Sequence, residues 1–166
     1  MEEFLIEKRV DLNSPQSRRQ VDLLVRDALA DIIRYAHSRA FAYAPARTGN
    51  LKRNISGSDV HKVGMFWEGE VTVGRRAPYA KWVESGTGIF GAFHQRIYPK
   101  TGSVLVFIMT DWYKQPGKEV RIYAKSVKGQ VGQHYMKRAY EDTDKFFVPL
   151  RLQLLKREIA AAAITT

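Results

Sequence analysis

The chain has 166 residues, of which 45% are apolar and 27% charged, a balance typical of one globular domain over residues 1–166. It has no cysteine, which excludes disulfides and cysteine-bound metals. No apolar run approaches the roughly 20 residues that cross a bilayer. Because Glu2 and Glu3 stand where a secretory signal carries bases, we expect neither export nor membrane contact.

The net charge of +10 raises the question of nucleic-acid binding. Proteins that bind nucleic acid usually concentrate their bases on one element or face. Here an excess of two or three bases is found in each of four segments, 1–56, 57–102, 103–130 and 131–166. The charge therefore fits a nearby polyanion but does not predict sequence-specific binding. A non-sequence-specific nucleic-acid-binding protein, with aromatics near bases, remains the alternative function.

A long helix is predicted after an N-terminal arm, residues 1–13, which is either an edge strand or a frayed end. Ser14 and Pro15 form a strong helix start, and Pro45 ends the helix. Apolar residues recur between them at steps of three and four, the pattern of an amphipathic helix. The stripe consists of Val21, Leu24, Val25, Ala28, Leu29, Ile32, Ala36, Ala40 and Tyr43. About thirty residues give a rod of roughly 45 Å, long for a small domain.

Four strands are predicted in the middle of the chain. Residues 55–63 and 66–74 have strand character, 103–110 is the most apolar run and predicts a central strand, and 119–127 alternates apolar and polar residues. Short connections favour a small antiparallel sheet. A single helical turn is predicted near 79–84, stopped by glycines.

A loop and a second helix complete the chain. Residues 86–102 are rich in glycine and aromatics, which favours an interaction loop over a self-packed surface loop. A helix begins near Gln133 and continues to a tail at 161–166. Proline cannot occupy a helix interior without distortion, so we expect a kink near Pro149.

No catalytic constellation can be assembled from these residues. The four histidines, His37, His61, His94 and His134, lack metal-ligand spacing, and Glu141, Asp142 and Asp144 lack the glycine and glutamate of a calcium loop. No phosphate-binding glycine pattern or nucleophile elbow is present. We therefore expect no enzyme activity, no catalytic or metal site and no cofactor.

Three ordered motifs resemble a family of phage proteins. Residues 45–55, PARTGNLKRNI, resemble a "Pro-x-x-Thr-Gly-x-Leu-Arg-x-Ser-Ile" segment, with Asn54 where serine is usual. Residues 78–87, PYAKWVESGT, resemble a "Tyr-Ala-x-x-Val-Glu-x-Gly-Thr" signature. Gly129-Gln130, followed by YMKRA at 135–139, resembles the start of the last helix in the same family. The set is similar to tail-completion or head–tail joining proteins of long-tailed bacteriophages, including minor tail proteins of the Z type.

The resemblance implies an α+β fold and a place in the virion neck or tail, with assembly in the host cytoplasm. It implies a homo-oligomeric ring, with six subunits, stacked between the head connector or head-closure protein and the tail terminator or tail tube protein. Genome DNA would pass through the ring and contact it transiently and non-specifically.

The predicted interface residues lie in the turn, the short helix and the loop: Arg47, Arg53, Tyr79, Trp82, Glu84, Phe90, Phe93 and Tyr98. We expect Glu84 either to be a solvated carboxylate or to pair with Arg47 or Arg53 in a bidentate contact. Phe90, Phe93 and Tyr98 are predicted to become ordered only when the chain assembles.

Overall fold

The computed structural model describes residues 15–46, 49–110 and 119–165 of the chain. Within these ranges the chain forms two compact units. The helical unit contains the described residues up to Ala77 and those from Tyr135 onward, and the loop unit is Pro78–His134. The arm at 1–13 lies outside the described residues, and the assignment of 1–166 to one domain stays a prediction.

The predicted α+β class is confirmed, with a long first helix and a C-terminal helix around short antiparallel strands. The helices of the helical unit are α1 (Pro15–Tyr43), α2 (Asn50–Arg53), α4 (Tyr135–Asp142) and α5 (Val148–Thr165), and its strands are β1 (Ile55–Gly57), β2 (His61–Val63), β3 (Phe66–Glu68) and β4 (Val71–Val73). The loop unit has α3 (Ala80–Ser85), a 3₁₀ turn at Gly88–Phe90, β5 (Leu105–Thr110) and β6 (Glu119–Ala124).

The six strands pair as three two-stranded antiparallel sheets, β1 with β4, β2 with β3 and β5 with β6, rather than as one sheet of four. The first two pairs are one hairpin interrupted near Ser58, whose N–H donates to the Glu70 carbonyl over 2.8 Å. This hairpin lies close to α1. A Cβ on Gly57 or Gly69 would come 3.0 or 3.1 Å from the Ile33 side chain, so both positions favour glycine.

Helix α1 packs antiparallel to α4 and α5, because its contacts run in the opposite order along the two segments. Arg39 bonds to Asp142, Tyr35 stacks on Phe147 with ring centroids 4.3 Å apart, and Asp31 bonds to Arg151. The buried residues of this layer include alanines of α1, which let the helices approach closely. They are Ala28, Ala40, Tyr135, Ala139, Thr143, Arg151 and Leu155.

The expected irregularity near Pro149 takes the form of a π-helical turn at Thr143–Phe147, between α4 and α5. Proline has no N–H to donate to the carbonyl of Lys145, and its ring would clash with that carbonyl in a regular helix. The extra residue of a π turn lies just before this position, where it can absorb the mismatch. The sequence therefore predicted the disturbance, and the structure places it one turn earlier.

Residues 103–110 do not form the buried central strand that their composition predicts. Strand β5 instead forms a two-stranded hairpin with β6, in which the described side chains of Val106, Phe107 and Ile108 are exposed. The prediction failed because apolar content favours a strand without determining which elements pack on its faces.

Candidate interaction surfaces

Ionic contacts hold the helix layer together. Arg151, whose side chain is 8% exposed, donates from Nε to Asp31 over 2.8 Å and from one terminal nitrogen to Glu158 over 3.0 Å. Burial alone would raise the pKa of Asp31, but hydrogen bonds from Arg151 and Arg34 outweigh it and lower that pKa below its usual value. Because the carboxylate is held ionised, the buried guanidinium keeps its countercharge.

A second cluster joins the end of α1 to α4. The Asp142 carboxylate accepts hydrogen bonds from the Tyr43 hydroxyl and from Arg39, and these two contacts lower the pKa of Asp142. The same bond to Asp142 raises the pKa of Tyr43. Arg138 stacks over the Tyr43 ring, 4.3 Å from its centroid. All these groups are occupied in joining helices, so the cluster has the character of a structural contact.

In the loop unit, two glycine-rich segments meet backbone to backbone. The Thr87 N–H donates to the Gln130 carbonyl and the Ile89 N–H to the Lys128 carbonyl, each over 2.8 Å. We call this contact the glycine clasp, residues 86–89 with 128–132. A Cβ on Gly88 would lie 2.1 Å from the Lys128 carbonyl oxygen, which leaves no room for a side chain.

The clasp joins the motif at residues 78–87 to the motif that begins at Gly129-Gln130. These two motifs flank the β5–β6 hairpin in the sequence. Gly86, Gly88 and Gly129 have φ of 79°, 65° and 93°, in the left-handed region that glycine adopts readily. Val83 and Glu84 continue the contact, since their carbonyls accept from the N–H groups of residues 133 and 134 over 2.7 and 3.1 Å. The sequence showed both glycine groups, but it gave no signal that they pair.

The predicted interaction loop, 86–102, is held by backbone contacts at two places. Its start lies in the clasp, and Ile97 exchanges backbone hydrogen bonds of 2.9 and 3.0 Å with Val127. Phe90, Phe93 and Tyr98 nevertheless expose their side chains, Phe93 by 87%. The prediction that these aromatics become ordered on assembly stays a prediction.

The other predicted interface residues are distributed between the two units. Arg47 lies outside the described residues, and Arg53 is an exposed residue of α2 in the helical unit. Glu84 belongs to the loop unit, as do half-buried Tyr79 and exposed Trp82, whose ring centroid is 5.2 Å from Lys81 Nζ. The pairing of Glu84 with Arg47 or Arg53 therefore stays a prediction.

Sequence analysis missed an apolar groove in the helical unit. It lies between α1, α5 and the tip of the β2–β3 hairpin and has a volume of about 670 Å³. Met65 and Phe66 at the hairpin tip are strongly exposed, and Leu152 of α5 is half exposed. We call this groove the hairpin-tip groove; its lining is Arg18, Val21, Asp22, Val25, Ala28, Leu29, Ile32, Met65, Phe66, Trp67, Leu152, Leu155 and Ile159.

The β5–β6 hairpin exposes apolar side chains on both faces. One face, which we call the Tyr123 face, has Val106 opposite Tyr123 and Ile108 opposite Arg121. The other has Phe107 opposite Ile122. A lone two-stranded hairpin is marginal in water. Because apolar residues are exposed on both faces, the hairpin is a candidate interaction surface.

Comparison with known proteins supports the resemblance. Residues 12–86 match the model of the HK97-gp10-like family, described as "Bacteriophage HK97-gp10, putative tail-component". Over these residues the chain is similar to the HK97-gp10-like family. The matched range contains the first motif, residues 45–55, and the second as far as Gly86, whereas the third lies beyond it. No curated protein and no solved structure matched the chain.

Similarity to the HK97-gp10-like family supports a structural role in the phage tail, and with it a place in the virion. Among the described residues, no three or more His, Cys, Asp or Glu side chains are grouped to hold a metal ion. The helices in the described part of the chain include none long and apolar enough to cross a membrane.

Proposed function

We propose that the chain is a tail-completion or head–tail joining protein. Its copies form a ring between the head connector and the tail tube, and the genome passes through that ring. The observation that carries the proposal is the family match over residues 12–86, which contains the Thr-Gly turn and the Val-Glu-x-Gly motif. The apolar groove and the exposed hairpin add support, because a ring needs two different contact surfaces on each subunit.

The neighbours in this proposal are the head connector or head-closure protein on one side and the tail terminator or tail tube protein on the other. The ring has six subunits and is assembled in the host cytoplasm before it enters the virion. The net charge of +10 suits transient contact with the passing DNA, since attraction to phosphates does not depend on sequence.

We also propose that the chain has no catalytic role. Ionisable side chains with a strongly shifted pKa are often found in active sites. The described aspartates with a shifted pKa, Asp22, Asp31 and Asp142, each bond to basic side chains of neighbouring elements, where they stabilise the fold. Such contacts explain the shifts without a substrate.

Loss of the gene tests this function. We expect infected cells to accumulate filled heads and separate tails, and electron microscopy with labelled antibody to place the wild-type protein at the neck. Native mass spectrometry of the purified assembly should give six copies. Normal virions without the protein would refute the proposal, and expression of the chain from a plasmid, restoring joined particles, is the matched control.

The alternative is a non-sequence-specific nucleic-acid-binding protein, favoured by the positive net charge. Gel shifts with the isolated chain at increasing salt separate the two functions. Tight binding with a steep salt dependence would favour the alternative, because each neutralised phosphate releases a counterion. A neck protein is expected to bind weakly at physiological salt.

A further inference from the structure

We infer that the β5–β6 hairpin of one copy binds the hairpin-tip groove of a neighbouring copy. The contact uses the Tyr123 face, and it forms a heterologous interface between two copies of this chain. The inference deepens the proposed function, since it names the contact that would close the ring.

The first argument is the size of the exposed hairpin surface. On the Tyr123 face, three large side chains expose between 55% and 62% of their surface: Val106, Ile108 and Tyr123. At roughly 150 Å² for each large side chain, they leave on the order of 270 Å² of mainly apolar surface in water. That is about a third of the roughly 800 Å² that each partner contributes to a standard protein interface, enough for its apolar centre.

The second argument is chemical complementarity. The Tyr123 face combines an aromatic ring, two aliphatic side chains and Arg121, a composition that suits the centre of an interface. The groove offers an apolar lining with two charged residues, Asp22 and Arg18, of which the Asp22 carboxylate can accept from Arg121. Asp22 already accepts from Lys62 Nζ over 2.7 Å and from Trp67 Nε1 over 2.9 Å, and a carboxylate can accept more than two hydrogen bonds.

The third argument is that one chain carries both surfaces. Strand β5 has no charged residue in its six positions, and charged side chains are a usual protection of an open strand edge. A partner with a deep apolar surface would cover such a hairpin, and the groove supplies one. When the two matching surfaces differ and belong to the same chain, repeated docking closes a ring if the rotation allows it.

Disulfide trapping tests the contact directly, because the chain has no cysteine of its own. Chains with Ile108→Cys and chains with Met65→Cys are purified separately, mixed and oxidised. We expect at least fivefold more crosslinked dimer from this mixture than from a mixture of Ile108→Cys with Tyr140→Cys, an exposed control position. Equal yields would overturn the inference. Since each chain has one cysteine, only contact between copies is trapped.

Charge insertion supplies an independent test. We expect Ile108→Asp and Phe66→Asp each to abolish self-association in analytical ultracentrifugation, while Tyr140→Asp associates like wild type. Mixed in equal amounts, the two defective chains should form dimers, because one intact hairpin and one intact groove remain. A monomeric mixture, or a wild-type chain that stays monomeric at about 1 mM, a concentration well above the Kd of ordinary interfaces, would contradict the inference.

Virions separate this inference from the proposed function. If the contact forms in the ring, particles assembled with the wild-type chain should contain it, and particles assembled with the Ile108→Asp chain should lack it. If Ile108→Asp enters particles normally, the hairpin contact is wrong and the neck assignment is unaffected. If the wild-type chain itself is absent from particles, the neck assignment fails, while the trapping result decides the contact between copies by itself.

Discussion

The helix layer and the β5–β6 hairpin show two ways of treating apolar and charged side chains. In the layer, α1 covers the buried faces of α4 and α5, and the buried Arg151 has two carboxylate partners. In the hairpin, Ile108 is 60% exposed although its strand is the most apolar run of the chain. The layer is thus stabilised by contacts within the chain, whereas the hairpin carries surface suited to a partner.

The largest expected effect is the loss of the buried cation in the layer. Arg151→Ala leaves Asp31 and Glu158 without their shared countercharge, which should lower the free energy of unfolding by about 3 kcal/mol. Denaturant titration measures this difference. The control is Arg157→Ala, an exposed basic residue of the same helix, which should change stability by less than about 0.5 kcal/mol. Similar losses in both variants would show that the buried position of the guanidinium has no special role.

A second prediction concerns the glycine clasp at the base of the hairpin. Gly88→Ala places a Cβ 2.1 Å from the Lys128 carbonyl oxygen at a φ of 65°, whereas Gly102→Ala meets open space at a φ of 82°. Both carry the cost of a left-handed alanine, roughly 1 kcal/mol. Only Gly88→Ala should also break the clasp, seen as faster hydrogen exchange of the Thr87 and Ile89 amides. Unchanged exchange at these amides would argue against a tight clasp.

A third prediction is the pH dependence of the layer. The folded pKa of Asp142 lies below its usual value of 3.8, first because of the Tyr43 hydroxyl and then because of Arg39. This contribution is complete above the unfolded pKa and is lost as the pH falls through the folded one. Asp142→Asn should therefore give a smaller loss of stability between about pH 5 and pH 2, measured by denaturation at each pH.

Glu141→Asn is the matched control for that experiment, since Glu141 is the exposed neighbour of Asp142 on the same helix. We expect its stability to depend on pH as in the wild type. If Asp142→Asn also keeps the full acid dependence, the contacts of Asp31 and Asp22 carry it instead, and both of those carboxylates also have a lowered pKa.

The smallest effect is expected in the hairpin. Truncation of an exposed apolar residue removes little buried surface, so Ile108→Ala should cost the isolated chain less than about 0.5 kcal/mol. Leu155→Ala in the buried layer should cost about 2 kcal/mol by the same measurement, because Leu155 keeps 9% of its surface exposed. A large loss for Ile108→Ala in the isolated chain would show that the chain covers its own hairpin, and the contrast between the two regions would disappear.

Much of this fold could be predicted because local rules govern it. Pro15 and Pro45 bound the first helix, and the period of apolar residues between them gave its buried face. The positions of the strands and the irregularity before Pro149 also followed from local signals, whereas the division of the strands into separate pairs did not. One of the motifs that suggested a phage tail protein, residues 45–55, and most of a second, residues 78–87, lie within the range 12–86 that matches the family model.

Only the tertiary structure decided which of these pieces meet. The pairing of Thr87 with Gln130 and of Asp31 with Arg151 joins residues far apart in the chain, and no spacing rule links them. Composition likewise predicted a buried strand at residues 103–110, but not that Val106, Phe107 and Ile108 would be exposed in a single copy. Local sequence fixes backbone conformation through sterics and hydrogen bonding, whereas long-range contacts depend on how all elements compete for the same apolar surface.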